Sequence, residues 1–451
     1  MIKIVEDRYK MDNLKFRSLE FENYKSFDKV NFDLMLTKKK VKNLAVIYGE
    51  NGVGKSTVIS AIKNLRQSLD TRINRINFEK FTNENFDSVE KYRNKFVLPP
   101  MSFGDIFKDV PTFDTENQTI SKVKYNFCID GKNGIYTLCF NNEQLLNEKL
   151  EFTVKKNRGI LFDISSNSFK INSILLKNKT LKRKIFDLLD LYWGNHSFLS
   201  IINEMISQND ININIIPINL TKIIKCFSSI CILDSKFKSF GSMVPSLLKG
   251  TVLDTKKTIE SLNSAKDTIK YFLNKMNSNI QNAEYKFDHL ENGNLNYELF
   301  LTERINGKLL KLSSSLASDG TKSTIELLPF LVNIMNGNVV AIDELDKDIH
   351  DLLLIRLVNE INNADINGQL IFSTHNTLIM DEINSKAIYC INSDINGKRT
   401  INTIDKFGRI SDTSSISKLY REGRFYGIPY LGDFNISKLS QLFLKKDKGI
   451  K

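Results

Sequence analysis

Long apolar runs are missing from this chain of 451 residues. No stretch reaches the roughly 20 residues that a membrane-spanning helix needs, so no membrane contact is expected. The opening, MIKIVEDRYKMDNLKF, carries early acids and lacks an apolar core, which argues against a secretory signal. Cysteine is sparse: Cys128, Cys139, Cys226, Cys231 and Cys390 contain no CxxC pair. Their odd number argues against a disulfide framework, and a reduced, cytoplasmic protein is the simplest expectation. Internal repeats and sustained heptads are also lacking, so a long coiled-coil arm is not expected.

What is present is enough apolar content, 41 %, to bury a large core in two or three lobes. Charged residues make up 26 % and the net charge is +12. That charge leaves nucleic acid as a candidate partner. General residue usage explains it equally well, because the basic residues are dispersed apart from Lys38–Lys40 and Lys445–Lys451. No base-reading motif accompanies them.

Val30, Phe32, Leu34 and Leu36 recur at every second position, the period of a strand. Leu44–Tyr48 is a continuous apolar run stopping at a glycine, as in a buried strand, and 55–69 reads as a helix. Tyr125–Ile129 and Ile135–Phe140 flank a turn-rich segment and predict a hairpin. From about 172 to 280 the pattern turns helical, with segments at 181–192, 198–207 and 255–276. Strands return after Tyr297, with Val339–Ile342 and Leu370–Phe372 enclosing a helical 352–361. The expected fold class is therefore α/β, with a mixed, mostly parallel sheet. Residues 1–170 form the first part of the α/β domain, 171–290 a helical insertion lobe, 291–440 the second part, and 441–451 a basic tail.

The sharpest chemical signal is Gly49-Glu50-Asn51-Gly52-Val53-Gly54-Lys55-Ser56, followed by Thr57. It fits GxxxxGK[ST], and it lies where a phosphate-binding loop must lie, between a buried strand and a helix. Glycines let backbone N–H groups turn toward phosphate oxygens, and the helix N-terminus adds positive potential. Lys55 is expected to reach the β- and γ-phosphates of ATP and Ser56 to hold Mg²⁺. In Val339-Val-Ala-Ile-Asp343-Glu344, four apolar residues put Asp343 at a strand end, a ligand position in open α/β sheets. Asp343 is expected on the metal and Glu344 as the general base that polarises the attacking water. His375, ending Gln369-Leu-Ile-Phe-Ser-Thr-His375, is placed to stabilise charge at the γ-phosphate. Ser318-Asp-Gly320-Thr-Lys322 opens the helical run Ile325–Ile334; it can form an anion site, but the pattern alone is better explained by an ordinary N-cap.

The order of these elements resembles ABC-type P-loop NTPases, including the SMC-like and OLD-like families. That resemblance implies that Ser318 and Gly320 bind the γ-phosphate held by the other subunit, that Asp346 lies in the D-loop, and that His375 is the switch histidine. It also brings Lys25 and Ser26, within Asn23-Tyr-Lys-Ser-Phe27, toward the phosphates. Leu316-Ala-Ser-Asp-Gly-Thr stands where a transporter would read LSGGQ, which weakens a transporter reading. Ser318–Lys322, Asp343-Glu-Leu-Asp346 with His350, and 421–430 together resemble AAA/ABC-type ATPases of bacterial abortive-infection and restriction-associated systems. Two departures stand out: Ile349-His350-Asp351 replaces Leu-His-Pro, and Ser385-Lys386 occupies the place of an Arg-Asp-Gln segment. The resemblance implies an ATPase working as a homodimer or higher homo-oligomer closed through the ATP site. It further implies a separately encoded effector of the Toprim-like nuclease type. Two other functions compete: an SMC-like DNA repair or recombination ATPase, and an OLD-like nuclease with its own catalytic domain. The second competitor would need a clustered Asp/Glu site among the 76 residues after His375 (451 − 375), and none is evident there.

Overall fold

The structure, a computed structural model, describes residues 13–84, 98–107, 120–176, 178–208, 216–234, 246–276, 279–364, 366–411, 414–428 and 435–446. Its strands are, in chain order, β1 (Leu14–Tyr24), β2 (Phe27–Asp33), β3 (Leu44–Tyr48), β4 (Ser121–Ile129), β5 (Lys132–Phe140) and β6 (Leu145–Thr153). Then follow β7 (Arg158–Ser165), β8 (Ser168–Ile171), β9 (Cys231–Leu233), β10 (Lys249–Leu253), β11 (Ile280–His289) and β12 (Asn294–Ile305). The last are β13 (Lys308–Ser313), β14 (Val339–Ile342), β15 (Gln369–Ser373), β16 (Ile388–Ser393) and β17 (Arg399–Thr403).

The site rests on a six-stranded sheet of order β17-β16-β3-β15-β14-β9. All its pairings are parallel except β16 with β17. The apolar runs are continuous because both faces are covered, and period two still decides which face each residue serves. Ala45 and Ile47 of β3 join one core, while Leu44, Val46 and Tyr48 join another. Val339 and Ala341 part from Val340 and Ile342 in the same way.

The first core lies between this sheet, the helix Lys55–Ser68 and a seven-stranded sheet of order β2-β1-β4-β5-β6-β7-β8. That second sheet is antiparallel throughout. In β4 the alternation is strict: every second residue from Ser121 to Ile129 is buried. Gln369, fully buried at the start of β15, binds the two sheets together. Its amide accepts from Phe16 N at 2.8 Å and donates to Phe16 O at 2.9 Å and Lys42 O at 3.0 Å. A buried amide is tolerable only with such partners.

Several expectations need correction. The strand read through Leu36 ends at Asp33; Leu34 is still buried, but Leu36 is exposed. The hairpin turn shrinks to Asp130-Gly131, with Ile129 opposite Lys132. Both turn residues have positive φ, 47° and 77°, as a two-residue hairpin turn of matching twist demands. The helical reading of 171–290 finds helices at Lys179–Tyr192, Phe198–Ser207, Ile218–Ser228 and Lys256–Met276. It misses β9, which returns to the main sheet beside β14. It also misses β10 and β11, which join β12 and β13 in a four-stranded antiparallel sheet. The boundary at 290/291 therefore falls inside the β11–β12 hairpin. The helix Lys256–Met276 covers that sheet through Ala265, Ile269 and Leu273. Of the basic tail 441–451, only 441–446, the end of the helix Ile436–Lys446, fall within the described residues. His196 is buried in the helical lobe, and His289 is exposed and pairs with Asp254.

Candidate functional site

Three adjacent parallel strands, β3, β15 and β14, end on one side of the sheet. Gly49, Thr374-His375 and Asp343-Glu344 follow those ends directly. The topology thus collects in one place residues separated by hundreds of positions, as open α/β sheets do at the carboxyl ends of their strands.

The loop after β3 is shaped by glycine where nothing else fits. Gly54 has φ of 119°, and a Cβ there would lie 2.6 Å from the Phe27 ring and 2.7 Å from Ser26 Oγ. Gly54 caps the helix Lys55–Ser68, so the first helical N–H groups open at the loop. Lys55 is 7 % exposed. Its Nζ donates to Gly49 O at 2.8 Å and Glu50 O at 2.9 Å, folding the side chain back over the loop. Burial lowers its pKa, while Asp343, Glu344, Asp346 and Glu50 act in the opposite direction. All three acids after β14 are therefore close enough for their charge to act on the lysine. Ser56 is exposed at the helix start, whereas Thr57 is buried and shares a hydrogen bond of 3.2 Å with Ser26.

The Asp343-Glu344 corner is held by a residue that sequence reasoning gave no role. Ser373, the buried last residue of β15, donates to Asp343 Oδ1 at 2.6 Å and accepts from Glu344 N at 2.8 Å. Glu344 itself has φ of 56°, a left-handed conformation that costs a residue with a side chain about 1–2 kcal/mol. Such strain persists where surroundings over-determine it, often at working sites. The available signal was a hydroxyl closing an apolar strand two residues before His375. His375 N donates to Asp346 Oδ2 at 3.1 Å, so the segment after β15 and the segment after β14 are joined.

Ser318 is exposed and caps the helix Asp319–Met335, its Oγ accepting from Thr321 N at 3.2 Å. A Cβ on Gly320 would approach Asp348 O at 3.1 Å, so this helix start abuts the turn after Glu344 in the same chain. A small groove of about 50 Å³ runs between them, lined by Ser323, Glu326, Asp343, Glu344 and Lys347. Lys25 sits in a turn with φ of 50°, and Ser26 packs on Gly54. Sequence reasoning also missed Arg399 of β17, whose Nη1 donates to Ser26 O at 2.6 Å and Nη2 to Gly52 O at 3.3 Å. Tyr420, the residue just before the C-terminal motif segment 421–430, places its ring 5.8 Å from that of Tyr48 at the end of β3. Pro429 and Tyr430 of that motif lie outside the described residues.

The donors present suit a hard, oxygen-preferring cation. Asp346 Oδ1 is buried with no hydrogen-bond partner, and Asp343 and Ser56 offer oxygen beside a loop shaped for phosphate. Mg²⁺ is bound by one or two such groups together with substrate phosphates. Among the described residues no group of three His, Cys, Asp or Glu could hold an ion.

The fold and this loop define a P-loop ATPase-type α/β protein. The chain belongs to the AAA domain family: a family model described as "AAA domain" matches residues 18–298. A second, described as "AAA domain, putative AbiEii toxin, Type IV TA system", matches residues 235–381. A curated relative, "Retron Vc95 probable ATPase" of Vibrio cholerae, is 24 % identical over 424 residues, covering 88 % of this chain and 77 % of its own length. Similar solved structures include an Smc head bound to the C-winged helix domain of ScpA (TM-score 0.47, 13 % identity, 87 % of this chain, 99 % of that one). The SMC head domain from Thermotoga maritima is another (TM-score 0.38, 14 % identity, 87 % and 99 %). The resemblance read from the motifs, to AAA/ABC-type ATPases of defence-associated systems, agrees with the family models and the retron relative. No helix among the described residues is long and apolar enough to cross a membrane.

Proposed function

We propose that this protein binds Mg²⁺ and ATP, hydrolyses ATP, and completes each site with a second copy of itself. One observation carries the reading. The Lys55 amine, folded over its own loop, feels Asp343, Glu344 and Asp346 from the end of β14, two strands away. A lysine after β3 and a metal-type aspartate and a base-type glutamate after β14 thereby face one space at two strand ends. The loop from Gly49 to Ser56 cradles phosphate through its N–H groups, with Lys55 supplying charge and Thr57 packing beneath. Asp343 and Ser56 would hold Mg²⁺, which supplies charge neutralisation on the phosphates when bound. Glu344 orients and accepts a proton from the attacking water, and His375 stabilises charge at the γ-phosphate. Ser373 keeps Asp343 and Glu344 in register by bonding to both.

Ser318 and Gly320 supply the second half of the site to a neighbouring chain. The exposure of Ser318 supports this, as does Leu316 beside it, a large apolar side chain left 73 % exposed. The finer biological reading is a defence-system subunit that senses or scaffolds and controls a separate effector, a Toprim-like nuclease. Its support is the motif set and the retron-associated relative. ATP turnover by the wild type, lost in Lys55→Ala and in Glu344→Gln, tests the enzymatic claim; equal turnover in all three rejects it. Affinity purification from the native host tests the effector, and a chain that cleaves DNA alone, through residues outside this site, rejects it.

A further inference from the structure

The turn before the P-loop is strained. Asn23 and Lys25 have φ of 48° and 50°, the left-handed region that residues with side chains rarely adopt. Such a turn keeps its shape only where its surroundings hold it. Ser121 Oγ donates to Asn23 O at 2.6 Å on one side. On the other side the turn meets the P-loop: Ser26 Oγ lies against Gly54 and bonds to Thr57.

Arg399 reaches this junction from the opposite end of the chain. It begins β17, whose partner β16 pairs with β3, and β17 lies against β2. The same hairpin backs the loop, since a Cβ on Gly49 would meet Ile391 O at 3.0 Å. One guanidinium nitrogen donates to Ser26 O at 2.6 Å and the other to Gly52 O at 3.3 Å. Gly52, at the loop tip, has φ of 76° and open space around it, so no packing of its own fixes it. A planar fork sets the angle and spacing between two acceptors, which a lysine ammonium on a flexible stem does not do.

We propose that Arg399 is a positioning residue of the nucleotide site, fixing the spacing between the strained 23–26 turn and the P-loop tip. The proposal rests on the reading of the P-loop as an ATP site. Its effect falls on ground-state capture of the nucleotide, since one carbonyl it holds, Gly52 O, belongs to the cradle, the other, Ser26 O, to the turn packed on it, and neither to the Asp343-Glu344 corner. A residue acting this way changes KM more than kcat.

The test measures ATP affinity by calorimetry with Mg²⁺, and KM and kcat for turnover, in wild type, Arg399→Ala, Arg399→Lys and Lys55→Ala. Melting of each protein without nucleotide identifies any variant that fails to fold, and Arg399→Lys then carries the test. The expected result is an ATP affinity weakened about tenfold in Arg399→Ala, with kcat within about threefold of wild type. Arg399→Lys recovers little of that loss. Wild-type affinity in a folded Arg399→Ala, or full recovery in Arg399→Lys, overturns the proposal. A wild type that binds no ATP overturns the reading of the P-loop and the proposal with it, an outcome distinct from a failure confined to Arg399.

Discussion

Lys55 and Ser318 open two helices in one molecule, and their surroundings differ sharply. Lys55 is buried, bonded to two carbonyls of its own loop, and within the field of acids from the next strands. Ser318 is exposed, and among the described residues its hydroxyl engages its own helix start, through Thr321 N and the Thr321 hydroxyl. The first is assembled by long-range strand pairing inside the chain. The second is a rigid edge turned outward. Preorganised charge is worth most where water is excluded. A phosphate lying on the Lys55 side alone would keep one flank in solvent, so the difference points to a second surface closing over it.

The largest effect should come from the prebuilt half. Glu344→Gln should lower turnover by roughly 10²-fold or more while ATP binding persists. Equal loss of binding would show that Glu344 supports the cradle rather than the chemistry. Lys55→Ala should weaken ATP affinity at least about tenfold by removing a charge-assisted contact. Calorimetry with Mg²⁺ reads this directly, and unchanged affinity would break the contrast at its strongest point. Ser318→Arg should cut turnover about tenfold or more with little change in ATP affinity of the dilute chain. Ser318→Ala removes the helix cap without adding bulk, at about 1 kcal/mol of stability. If both variants behave alike, Ser318 is only an N-cap and the contrast dissolves.

The smallest effect is on stability far from either half. Glu148 is fully buried at the start of the helix Phe198–Ser207, where it accepts from Tyr136 OH, Trp193 Nε1 and the N–H groups of Phe198 and Leu199. Burial raises its pKa from 4.5 to about 7, against the pull of those donors. The folded chain then holds a proton that the unfolded chain releases. This contribution is fully present below pH 4.5 and is lost as pH rises through about 7. Glu148→Gln should flatten the fall of the thermal midpoint across that window, and an unchanged slope would remove Glu148 as its source.

The same contrast governs what the sequence made readable. The strands β3, β14 and β15 announce themselves because each is an unbroken apolar run ending in a glycine, an acid or a hydroxyl, and the loop between β3 and its helix has fixed spacing. Two of the 181–207 helices were readable from apolar period. β9 was not, because three residues are too few to display a period and its partner, Val340, lies far downstream. The seven-stranded sheet showed itself only as one hairpin and one alternating run, since its order depends on pairing β1 with β4 across the P-loop and its helix. Ser373 and Arg399 carry no motif; only tertiary contact gives them partners. Ser318 was ambiguous from sequence for a physical reason, because an N-cap and an anion site use the same N–H groups.

The composite site is tested most directly by the molar mass of Glu344→Gln in solution, by light scattering, with and without Mg²⁺ and ATP. A protein that binds ATP and holds it should pass from the monomer mass to twice that mass or more on adding nucleotide, and Ser318→Arg in the same background should prevent the change. A chain that stays monomeric with ATP bound, and whose wild type keeps its full specific activity on dilution, would contradict closure of the site by a second copy.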